Sequence, residues 1–93
     1  MLLARVTIGD YDQFWSTFTG TGAAQRRKYG SSGARVFRNL GRPEEVIVLF
    51  DWSEEDYGRF LEDPETPAIF QAAGLAGPPE MIAVVEPVGE TAS

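Results

Sequence analysis

The sequence predicts an α+β domain, a four-stranded antiparallel sheet with its helices on one face, in the order β-α-β-β-α-β. Three observations carry that prediction. The apolar spacing alternates between strand and helix character in that order along the chain. The 93 residues suffice for one small domain and leave no room for a second. The third observation is the run "VIVLFDW", Val46 to Trp52, apolar on both of its alternating faces. Helices can cover only one side of such a sheet, so a second copy of the chain is expected on the other.

Leu2 to Ile8 reads as the first strand, rich in Leu, Val, Ile and Thr. Asp10 then suits an N-cap, and Tyr11, Phe14, Trp15 and Phe18 follow at helical spacing. Next comes "TGTGAAQRRKYGSSG", which raises the question of a phosphate-cradling loop. Such a loop follows a strand and opens a helix, whereas this stretch follows two turns of helix, and Gln25 stands where a third glycine would complete the motif. It reads instead as the continuation of one helix, weakened by Gly20 and Gly22 at about 1 kcal/mol each relative to alanine. A ligand cavity beneath the helix would be one reason to keep them. Arg26, Arg27 and Lys28 complement its last turns, and Gly30 stops it.

Ala34 to Leu40 is the second strand, "GRPEE" a turn, and Val46 to Trp52 the third strand, predicted to be central. Ser53 with Glu54, Glu55 and Asp56 signs the start of a helix that carries Tyr57, Phe60 and Leu61 and ends at Pro64. "ETPAIFQAAG" is a further short helix ending at Gly74, and Met81 to Val85 is the last strand. The domain is expected to span residues 1–88, with 89–93 a frayed tail.

Composition removes several chemistries. The chain has neither Cys nor His, so disulfides, thiolate or imidazole metal sites and a Ser–His–Asp triad are excluded. Carboxylates and carbonyls remain as ligands, and no metal or other cofactor is expected. The net charge of −6 speaks against non-specific nucleic-acid binding. No run approaches a membrane span or a signal segment, and the protein is read as cytoplasmic. Six of the eight cations lie between Arg26 and Arg42, where there is no acid, and nine of the fourteen acids lie between Glu44 and Glu65. That pattern fits two solvated faces of opposite sign, or an anionic ligand held near Arg35 and Arg38. A chain this small buries only about 60 to 65% of its unfolded surface, a second reason to expect a homodimer.

The stretch "VIVLFDWSEEDYGRFLEDPETPAIFQAAG" resembles the dimeric α/β-barrel superfamily, in particular the antibiotic-biosynthesis monooxygenase-like proteins, whose members also include cyclases and haem-degrading enzymes. The resemblance in element order extends over nearly the whole chain. It implies ferredoxin-like subunits whose sheets pair into a barrel, each keeping a cavity between sheet and helices. The family's strand-end Trp matches Trp52, and an aromatic on the following helix roughly matches Tyr57. Val48 stands where quinol-oxidising members carry Asn, and Phe60 where many carry His. Haem degradation, which needs a His ligand, does not suit this chain.

Trp52 and Tyr57 are therefore the candidate catalytic residues. Phe14, Phe18, Phe60 and Phe70 are the candidate lining of a pocket for a planar hydrophobic molecule. Arg35 and Arg38 are candidate ligand-binding residues on opposite faces of their strand, so only one of them can reach the cavity; Asn39 is open in the same way. Two functions fit. One is a cofactor-independent monooxygenase or cyclase acting on a planar, oxygenated, polyketide- or quinol-like compound. The other is a non-catalytic dimeric ligand-binding or accessory protein, which the substitutions at Val48 and Phe60 favour.

Overall fold

Strict alternation in the first strand, β1 (Leu2–Thr7), turns Leu2, Ala4 and Val6 inward, and all three are buried. The computed structural model describes residues 1–92; of the expected tail, Ser93 lies outside the described residues. Asp10 caps α1 (Tyr11–Thr19), its carboxylate accepting the Gln13 backbone N–H at 3.0 Å. The helix expected to run on to Gly30 is in fact two. It breaks at Gly20, where a β-carbon would meet the Ser16 carbonyl oxygen at 3.0 Å, and α2 (Thr21–Lys28) starts afresh.

The end of α2 follows the expected chemistry. Gly30 takes a positive φ of 87°, the Gly30 N–H donates to Arg27 O at 3.1 Å, and the Ser31 N–H donates to Arg26 O at 3.1 Å. These bonds satisfy the last carbonyls of the helix, and a side chain at position 30 would oppose the backbone turn.

The second strand, β2 (Gly33–Arg38), stops two residues short of the predicted Leu40. Asn39 ends it by accepting the Gly41 N–H on its side-chain oxygen at 3.0 Å and donating to Glu45 at 3.2 Å. That resolves Asn39 as a turn residue rather than a ligand contact. The third strand, β3 (Glu45–Asp51), is followed by α3 (Glu54–Glu62), capped by Ser53, and by α4 (Thr66–Ala72), which closes at Gly74 with φ of 74°. The last strand, β4, runs Glu80–Val84.

The four strands form one antiparallel sheet in the order β2-β3-β1-β4. Val46, Val48 and Phe50 face the helices and join Phe14, Trp52, Tyr57 and Phe60 in the core. The opposite parity carries Leu3, Ile47 and Leu49, half-buried, and Phe37, which is 45% exposed. On that same face Glu45 is buried in an ion pair with Arg5 at 2.6 Å, so the sheet's far side is apolar in the middle and charged at one end. No helix among the described residues is long and apolar enough to cross a membrane.

Candidate functional site

The core between sheet and helices is an array of aromatic rings in contact. Phe14 and Phe18 of α1 lie 5.1 Å apart, Phe18 meets Phe50 of β3 at 6.3 Å, Phe50 meets Tyr57 of α3 at 6.3 Å, and Phe60 meets Phe70 of α4 at 5.8 Å. Amphipathic spacing on three helices and inward parity on the strand bring them together. They surround a cavity of about 40 Å³. Val6 and Phe50 form its floor, Phe14, Phe18, Tyr57, Phe60 and Phe70 its walls, and Gly22 and Arg26 of α2 its remaining side. Space of that size takes a few waters and no planar ring system.

Five of the residues expected from sequence line this cavity: Phe14, Phe18, Tyr57, Phe60 and Phe70. The Tyr57 phenol has no hydrogen-bond partner among the described residues, and burial holds its pKa above the ordinary tyrosine value. It is therefore a proton or hydrogen-bond donor at neutral pH, not a base.

Trp52, the other candidate catalytic residue, is not in the lining and stands one layer back. Its ring packs edge-on against Phe60 at 5.0 Å and Tyr57 at 5.4 Å, and its indole N–H donates to the Tyr29 carbonyl oxygen at 2.8 Å. Strand alternation puts it on the same side of the sheet as Val48 and Phe50. It lies beyond the strand end, however, where Tyr57 and Phe60 come between it and the cavity.

Neither candidate strand arginine reaches the cavity. Arg35 pairs across the sheet with Leu49 and lies on the far face, its guanidinium 5.4 Å from the Phe37 ring centre. Arg38 pairs with Val46 and lies on the helix side, yet its guanidinium sits over Tyr11 at 4.2 Å. Trp15, part of the expected apolar stripe, is 44% exposed and stacks between Tyr11 and Phe18.

The cation that does line the cavity is Arg26, which sequence reasoning assigned to the helix end. Its guanidinium carbon lies 3.8 Å from the Phe18 ring centre, and Nη2 donates to the Phe18 carbonyl oxygen at 3.0 Å. Burial, helped by neighbouring Arg27, pushes its pKa down to about 10, so it stays charged at neutral pH. No carboxylate pairs with it among the described residues. Gly22 lies beside it and lets α2 approach α1. A β-carbon at that position would stand 2.9 Å from the Thr17 carbonyl oxygen and 3.2 Å from Arg26 Nη1. The signal in the sequence was the spacing Gly22, Gln25, Arg26 (i, i+3, i+4), which puts the three on one helix face.

No protein-family model matches the sequence, and no curated protein matches it. Solved structures do. SnoaB, a cofactor-independent oxygenase from Streptomyces nogalater, superposes with a TM-score of 0.69 over 96% of this chain and 95% of its own, at 19% identity. A conserved protein from Methanosarcina mazei Go1 gives 0.62 at 16% identity, over 87% of this chain and 85% of its own. A Chloroflexus aurantiacus J-10-fl protein, by name an antibiotic biosynthesis monooxygenase, gives 0.61 at 15% identity, over 95% and 94%. The chain thus has the ferredoxin-like α+β fold of the antibiotic biosynthesis monooxygenase-like proteins.

Proposed function

We propose that this protein, folded as a cofactor-independent oxygenase is, binds a planar, electron-rich aromatic compound between sheet and helices and oxygenates it without a cofactor. The observation that carries this reading is the ring-lined cavity whose lining includes Tyr57 and the carboxylate-free Arg26. In such a reaction an ionised ring methylene reduces O2 and the resulting peroxide loses water, so that CH2 and O2 give C=O and H2O. The electrons come from the substrate. The protein contributes orientation, exclusion of water and a positive charge beside the developing anion.

Entry of such a molecule requires the cavity to enlarge, and the first turns of α2 are the part suited to move. They follow the helix break at Gly20 and are tied to α4 by the long Gln25 to Thr66 contact at 3.4 Å, whereas the last turn is held by Arg26 on the Phe18 carbonyl oxygen, by Trp52 and by the Tyr29 bond to Asp63. The reading includes a homodimer joined through the far sheet face, around Ile47 and Leu49. It retains Trp52 as the support of Tyr57 and Phe60, with Tyr57 as the donor to substrate oxygen.

The test is oxygen uptake with a tricyclic hydroxyanthrone. Turnover gives one quinone per O2 consumed, unaffected by chelators. Tight binding without uptake would support the second reading, a non-catalytic binder. That alternative is favoured by one feature, a lining with no carboxylate or imidazole base among the described residues.

A further inference from the structure

We propose that Arg26 is the specificity-determining residue of this cavity and that it holds the ionised oxygen of a planar acidic enol or phenol, a molecule already deprotonated in solution. The inference rests on the aromatic-cavity reading above and narrows it. Arg26, Tyr57 and Thr17 are the polar residues of an otherwise apolar lining, and no carboxylate is among them, so the site suits receiving an anion better than making one. Of the five guanidinium N–H donors, one is used on the Phe18 carbonyl oxygen. Its guanidinium carbon lies 3.8 Å from the Phe18 ring centre, a cation–π contact that uses none of the remaining N–H donors. Gly22 lets α2 pack on α1, since a β-carbon there would meet the Thr17 carbonyl oxygen at 2.9 Å, and it also leaves Arg26 Nη1 uncrowded.

A plainer role is also available to Arg26, since its bond to Phe18 caps the last turn of α1. That role predicts lost stability without any change in ligand preference, so the experiment reads preference. Calorimetric titrations use 2-hydroxy-1,4-naphthoquinone, which is ionised at neutral pH, and its O-methyl ether, which has the same ring system and cannot ionise. The wild type should bind the hydroxy compound at least about tenfold more tightly, as a charge-assisted contact in a dry site would give. Arg26→Gln should bring the ratio to near one, and Arg26→Lys should restore part of it.

An equal loss for both probes in Arg26→Gln, with the ratio unchanged, overturns the proposal and leaves the residue a helix cap. A wild-type ratio near one overturns it without any variant, so an Arg26→Gln protein that fails to fold does not shelter the idea. If the wild type binds neither probe, the cavity reading fails and this inference goes with it.

Discussion

The indole N–H of Trp52 donates to the Tyr29 carbonyl oxygen at 2.8 Å, clipping the end of β3 to the last turn of α2. The same ring backs the cavity wall through Tyr57 and Phe60. One side chain thus fixes both the position of α2 and the rings that α2 faces.

Trp52→Phe should lower stability by about 2 kcal/mol, combining the lost hydrogen bond with the smaller ring. Affinity for the hydroxynaphthoquinone should change less than about threefold, because Trp52 does not line the cavity. Urea denaturation and calorimetry together check this. Unchanged stability with a large loss of affinity would move Trp52 into the cavity lining.

Gly22→Ala should destabilise the protein by roughly 1 to 3 kcal/mol although alanine is the better helix former, because the new β-carbon meets the Thr17 carbonyl oxygen at 2.9 Å. Gly58→Ala on α3 is the matched control. Nothing lies within 4 Å of its β-carbon, so about 0.5 to 1 kcal/mol of stabilisation is expected. Equal effects at the two sites would remove the packing argument for Gly22.

The Tyr29 hydroxyl donates to Asp63, and the two titrate in opposite directions. The bond from Tyr29, and the Glu65 N–H behind it, hold the Asp63 carboxyl below the usual carboxylate range. The Tyr29 phenol is raised, chiefly by the same bond. A depressed acid stabilises the fold above its unfolded pKa and loses that contribution as pH falls through the folded value. A raised phenol does the reverse, losing its contribution as pH rises through its folded value. The stability gap between wild type and Tyr29→Phe should therefore be widest from about pH 5 to 9 and close on either side of that window. Thermal midpoints across pH measure it, and a gap constant with pH would contradict the pairing.

Leu49→Asp, on the far face of the sheet between Leu3 and Arg35, should convert a dimer to a monomer in sedimentation velocity at micromolar concentration. A stable wild-type monomer under those conditions would end the proposal of a paired sheet.

Much of this fold was legible because local and global cues agree. The Asp10 and Ser53 caps, the Gly30 and Gly74 stops and the inward parity of Val46, Val48 and Phe50 each act over a few residues, and each is where its chemistry put it. The site was harder to read. Phe14, Phe18, Phe60 and Phe70 follow from periodicity, but periodicity cannot say which buried ring meets a void and which meets another ring, and Trp52 met rings. Arg26 was missed for a different reason. A cation in a polar helix turn reads as solvent-facing, and the break at Gly20, which the spacing does not show, turns it inward. The same break divided the one expected helix into two.

The order β2-β3-β1-β4 has a consequence for how the chain is made. The first of these four strands to be made is an interior one, and its two neighbours come from residues 45–51 and 80–84. Both of its edges stay unpaired until the residues of β3 have been made. Each closure spans a long loop of sequence, so refolding from denaturant should be slower than for an all-helical chain of equal length. Until β3 arrives, Leu2, Ala4 and Val6 form a short apolar strand with two open edges, the interval in which the nascent chain is most open to misassociation.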